Sequence, residues 1–124
     1  MNVIPLRERA RFFVESESGE DPYLVDLLEY RRQGWCNCKN FAVTIEPAWN
    51  AGEKPVPSMC KHICRARAYL ANLVEELSGL TLSRAQAVYQ VDRILFRWAR
   101  EESMNQLNPK RYGATRASTP HVNE

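Results

Sequence analysis

The sequence predicts an α+β fold: a small metal-stabilised β-hairpin plus helix module, with a second helix C-terminal to it. Three observations carry that expectation. Two runs of aromatic and β-branched residues flank a Gly/Asp/Pro cluster early in the chain. Two apolar stripes of helical period follow each other in the second half. Between these regions, two pairs of metal-ligand residue types bracket a segment rich in proline and glycine. At 124 residues there is room for one small domain, with or without a helical extension, but hardly for two cores.

Taken in order, Arg11-Phe-Phe-Val-Glu-Ser-Glu and Tyr23-Leu-Val-Asp-Leu-Leu surround Ser18-Gly-Glu-Asp-Pro22 and read as a hairpin over residues 11–28. A lone hairpin is marginal in water, so it must pack on a helix or be tied down by a metal. From Phe41 to Met59 the residues Pro47, Gly52, Pro55 and Pro57 predict a loop, with a short strand at Phe41–Ile45. A loop of that length calls for an anchor or a function. Ile63, Ala66, Leu70, Leu73 and Leu77 then form a helical stripe, and Gly79 stands where a terminator belongs, giving a helix over about 60–78. Ser83-Arg-Ala-Gln86 resembles a capping box. Ala85, Val88, Val91, Leu95 and Trp98 continue with helical period to about Gln106, so a second helix is expected antiparallel to the first. The remaining 109–124 are polar and aperiodic and are expected to be a disordered tail.

No apolar run approaches the roughly 20 residues needed to span a bilayer, and Met1 to Arg11 lacks the apolar region of a signal peptide. The expectation is a cytoplasmic protein with no membrane partner. Thiols stay reduced in that compartment, so the four cysteines point to metal ligation or burial rather than to disulfides, and zinc is the metal such sites favour. The net charge of +2 is too small to imply nucleic acid by itself, but it is uneven. Residues 1–35 hold five arginines against seven acids, whereas 60–113 hold nine basic residues against five acids. Within the latter, Arg93, Arg97 and Arg100 share one helical face, which can grip phosphates or lie solvated with Arg97 paired to Glu101. Phe96 and Trp98 cannot face the same side of one helix, so one of them is expected at the surface as an interface marker.

Zinc–sulfur bonds of about 2.3 Å at tetrahedral angles place two ligand sulfurs roughly 3.8 Å apart. In an extended segment Cys36 and Cys38 point to one side and can converge on one ion, while Asn37 faces away. Cys60 and His62 diverge on a regular helix and can meet only if Cys60 precedes the first full turn. Cys60 and Cys64, at i and i+4, share a face if the helix starts earlier, at Ser58. Spacing therefore leaves His62 and Cys64 both open as the fourth ligand. Outside ligation, Cys64 is expected as a small buried residue beside Ile63, and Trp35 and Phe41 as packing groups flanking the site.

The run Trp35-Cys36-Asn37-Cys38-Lys39-Asn40-Phe41 followed by Cys60-Lys61-His62-Ile63 resembles the SWIM-type zinc finger. That family's pattern is C-x-C, a variable spacer and C-x-H, with an aromatic three positions beyond the second cysteine and Cys-Lys-His entering a helix. The resemblance covers about residues 10–75 of a module placed at 1–80, and leaves residues 81–108 as a helix packing on or extending it. It implies one zinc ion held by Cys36, Cys38, Cys60 and His62 in a hairpin and helix unit. Four protein ligands leave no open position on such an ion, so the zinc is expected to be structural and the protein not an enzyme. No small-molecule substrate is expected. Relatives of the family include helicase-like remodelling enzymes, transposase-related factors and partners of recombination proteins. The implied role is a non-catalytic protein–protein adaptor linked to DNA metabolism. The alternative is direct nucleic-acid binding through Arg93, Arg97 and Arg100.

Overall fold

The computed structural model describes residues 2–107, and the expected tail at 109–124 lies outside them. The fold is α+β. Its sheet is a four-stranded antiparallel meander of β1 (Val3–Pro5), β2 (Arg11–Val14), β3 (Tyr23–Asp26) and β4 (Trp35–Cys36), in the order β1-β2-β3-β4. The expected hairpin is its centre, with Phe12 opposite Val25 and Val14 opposite Tyr23. Phe12, Val14 and Val25 are buried, as alternation on a one-sided sheet requires. At the far end of the pair Arg11 faces Asp26, and its Nε donates to Asp26 Oδ2 at 3.1 Å. Asp26 Oδ1 also accepts the Leu28 N–H, so this carboxylate fixes both the register and the exit from β3.

Two more strands flank the hairpin than the sequence predicted. β1 is three residues ending in proline, and β4 is two, both too short for a period-2 pattern to register. After β3 the chain makes a single turn, α1 (Glu29–Arg32), whose Tyr30, Arg31 and Arg32 all have positive φ. The turn closes through Gly34 N–H donating to the Glu29 carbonyl at 2.9 Å.

The segment Phe41–Ile45 is a π-helical turn, not the expected strand, and it runs into a short helix, α2 (Glu46–Asn50), started by Pro47. The run Phe-Ala-Val-Thr-Ile has strand propensity, but Phe41 and Ile45 are both fully buried and lie four residues apart. A strand would put Val43 on the same face as these two, yet Val43 is 65% exposed, so the burial follows the four-residue helical step and packing overrides propensity. Tyr30 lies stacked on Trp49 of α2, with ring centroids 5.5 Å apart, and 6.0 Å from Phe41. Its hydroxyl donates to Glu46 Oε2 at 2.6 Å.

α3 (Lys61–Ser78) lays Ile63, Ala66 and Leu70 on the sheet, with Tyr69 edge-on to Phe12. It ends at Gly79, which takes the left-handed conformation at φ 73. The capping box predicted at Ser83 is present: Ser83 N–H donates to Gln86 Oε1 and Gln86 N–H to Ser83 Oγ. α4 (Arg84–Leu107) follows, burying Val91 and Leu95 and packing Trp98 against the core. Arg67 of α3 pairs with Asp92 of α4, and Arg9 pairs with Glu101 while lying over the Trp98 ring. The two apolar stripes outrun the core they serve: Leu77 is 82% exposed and Leu73 and Val88 are also exposed. No described helix is long and apolar enough to cross a membrane.

Candidate metal centre

The sheet delivers the first two candidate ligands. β4 sets Cys36 opposite Val25. Beyond it, Asn37 N–H donates to the Leu24 carbonyl at 3.1 Å, and Asn37 Oδ1 accepts the Leu24 N–H at 2.9 Å. The asparagine side chain thus prolongs the strand pairing by one residue, keeping the backbone extended and bringing Cys38 out on the same side as Cys36. Spacing had placed Asn37 facing away; it carries a role that no ligand pattern marks. Cys38 Sγ then accepts the Phe41 N–H at 3.4 Å, which turns the chain into the π-helical segment.

The helix delivers the other two. Cys60 is the residue before the first turn of α3, extended at φ −80 and ψ 172, and His62 sits within that turn. This meets the condition for their convergence: Cys60 stands off the regular helix. Gly34 lets the β4 side approach closely, since a Cβ there would stand 2.8 Å from Ile63 Cγ2, and its φ of +106 suits glycine alone.

Cys36, Cys38, Cys60 and His62 are all buried, and one ligand atom from each lies within 4.8 Å of all the others. His62 Nδ1 is 3.7 Å from Cys36 Sγ and 3.8 Å from Cys60 Sγ. Tetrahedral coordination sets such sulfur–nitrogen separations at about 3.5 Å, so a small closure brings the donors onto a single ion. Tyr23 covers the imidazole, with ring centroids 4.2 Å apart. Cys64, left open by spacing, is outside the cluster; it is exposed on α3 rather than buried beside Ile63, because the buried face of that turn is taken by His62 and Ile63.

The electrostatics of the thiols fit a cation. Hydrogen bonding from the Cys36 thiol lowers Cys60 to about 5, helped by the N–H groups of Ile63 and His62 at the helix start, which form no regular cap bond. The same hydrogen bond to Cys60, together with burial, pushes Cys36 strongly up, and burial raises Cys38. By itself the pocket favours one thiolate among three sulfurs. A divalent ion among these donors favours all three thiolates, and this buried Cys3His set can hold one.

Arg93, Arg97 and Arg100 are exposed on α4, about a groove of about 480 Å³ whose other wall carries Arg31 and Arg32 of α1. Glu101 pairs with Arg9 rather than with Arg97, so the pairing expected of a solvated stripe is not made. Phe96 is the exposed member of the Phe96/Trp98 pair. Arg31 and Arg32 were not predicted as part of this face; the only sequence signal was an adjacent arginine pair within an otherwise acidic stretch.

No family model, curated protein or solved structure matches the chain.

Proposed function

We propose that the chain is a SWIM-like, zinc-stabilised and non-catalytic interaction module, an adaptor for a protein partner in DNA metabolism. The observation that carries it is the closed, buried donor set of Cys36, Cys38, Cys60 and His62. Three thiolates and an imidazole suit zinc, and four protein donors leave no position for water or substrate on the ion. A site of this kind supplies folding energy and rigidity rather than chemistry. The reduced thiols it needs agree with a cytoplasmic location. Leu73, Leu77 and Val88, uncovered along the α3–α4 hairpin, support a docking role for that end of the molecule.

Elemental analysis of protein purified without added metal tests the reading, using wild type, His62→Ala and Cys64→Ala. One zinc per chain, kept in the Cys64 variant and lost in the His62 variant, is the expected result. Folded wild-type protein with no zinc, or with zinc held without His62, overturns it.

A second reading, direct nucleic-acid binding, is favoured by the arginines of α4. Among the described residues no ion pair engages Arg93, Arg97 or Arg100, so their charge is available to phosphates.

A further inference from the structure

We propose that the groove between α1 and α4 is a binding site for single-stranded nucleic acid. In it Arg31, Arg93, Arg97 and Arg100 hold phosphates, and Tyr89 and Phe96 stack on bases. The inference rests on the second reading above and narrows it to unpaired strands.

Two stretches of chain separated by some 60 residues build the groove, and each contributes arginine. On α4 the steps Tyr89, Arg93, Phe96 and Arg100 are four, three and four residues, which puts rings and guanidinium groups alternately along one face. Arg93 to Arg100 covers about 10 Å of helix, longer than a single phosphate group, so the site suits a chain of phosphates rather than one anion. The acid on this wall, Asp92, is engaged by Arg67 and does not neutralise the stripe.

On the opposite wall Arg31 and Arg32 follow Tyr30 in three successive left-handed residues, a conformation that non-glycine residues rarely adopt. The turn is held by Tyr30, locked between Trp49, Phe41 and the Glu46 carboxylate. Strain of this sort persists where the surroundings over-determine it, and it concentrates at functional positions. Here its effect is to carry two guanidinium groups to the α4 face.

The rings decide between kinds of polyanion. Tyr89 is 58% and Phe96 51% exposed, with Arg93 5.7 Å and Arg32 5.3 Å from the respective ring centroids. Exposed rings interleaved with arginine offer a stacking platform and a phosphate track together, which unpaired bases use and a duplex, with its bases stacked inside, does not. A lipid surface is flat and would not reach into a groove, and an acidic peptide has no need of stacking rings.

Fluorescence anisotropy on the full, metal-loaded chain tests this. The probes are a labelled oligothymidine of about 15 nucleotides, a duplex of the same length, and inorganic polyphosphate as competitor. With three or four phosphates engaged, affinity for the single strand should fall about 20- to 50-fold between ~50 and ~200 mM salt. Arg97→Glu with Arg100→Glu should weaken it at least about tenfold, and Arg31→Glu should also weaken it. Tyr89→Ala with Phe96→Ala should weaken oligothymidine binding by about tenfold or more while leaving polyphosphate competition with residual binding unchanged. All these side chains are outside the core, so melting temperature and metal content should stay at wild-type values. Tighter binding to the duplex, or no loss in the aromatic variant, overturns the single-strand assignment and leaves nucleic-acid binding standing. Absence of binding to either nucleic acid at the lowest salt overturns both, and binding of polyphosphate alone would then mark the groove as a site for base-free polyanions.

Discussion

The Cys/His cluster and the α1–α4 groove lie in one small molecule and are built on opposite principles. At the cluster every functional side chain is buried and faces another member of the set, and the surrounding hydrogen bonds, exchanged between Asn37 and Leu24 and donated by Phe41 N–H to Cys38, fix its backbone. At the groove like charges are gathered at the surface, and no ion pair among the described residues offsets Arg31, Arg93, Arg97 or Arg100. The first region is enclosed and lacks only a small ion that its own donors can surround, whereas the second lies open. A donor set closed around a buried point serves the fold; a surface whose charge is unmatched is arranged for something outside the chain.

Phe41 links the two. Its N–H donates to Cys38 Sγ in the cluster and its ring supports Tyr30, which in turn holds the left-handed turn of α1. Damage to the cluster should therefore spread to the groove, and damage to the groove should stay local.

The largest effect is expected from Cys60→Ser. Structural zinc sites contribute on the order of 10 kcal/mol, comparable with the whole stability of a small domain, so this variant should lose its metal and its cooperative melt together. A wild-type melt with full metal content would break the assignment of the cluster. Phe41→Ala comes next: it empties a fully buried aromatic site and should cost about 3–5 kcal/mol in urea unfolding, against less than about 0.5 kcal/mol for Phe96→Ala at the surface. Similar costs for the two phenylalanines would erase the distinction between the regions.

Gly34→Ala should cost about 1–3 kcal/mol, from the contact with Ile63 and from the positive φ, with the loss read from the same unfolding curves. The smallest expected effect is on pH dependence. Burial, followed by the hydrogen bond to Glu46, raises Tyr30 from 10.0 to about 12. Its pKa is higher folded than unfolded, so its contribution is fully present below about pH 10 and fades as pH rises toward 12. An ultraviolet tyrosinate titration should show a late-ionising component in wild type that is missing from Tyr30→Phe.

How much of this was legible in the sequence follows the same division. The central hairpin, both long helices, the Gly79 stop and the Ser83 capping box could be read because each depends on local periodicity or on a short residue pattern. Cys36, Cys38 and Cys60 could be read from spacing, but the choice between His62 and Cys64 turned on where α3 begins, a matter of one or two residues. Phe41–Ile45 was misread because its propensity is for a strand and its burial is helical. Arg31 and Arg32 went unread because a left-handed turn built without glycine leaves no mark in the sequence.

That turn has a consequence for how variants of this protein would sort under selection. A left-handed residue other than glycine costs roughly 1–2 kcal/mol, so the best residue for local backbone stability at position 31 is not the arginine found there. In a library screened for heat resistance alone, Arg31→Gly should be enriched; in one screened for strand capture it should be depleted. Under the proposed single-strand role, arginine here would trade backbone stability for binding.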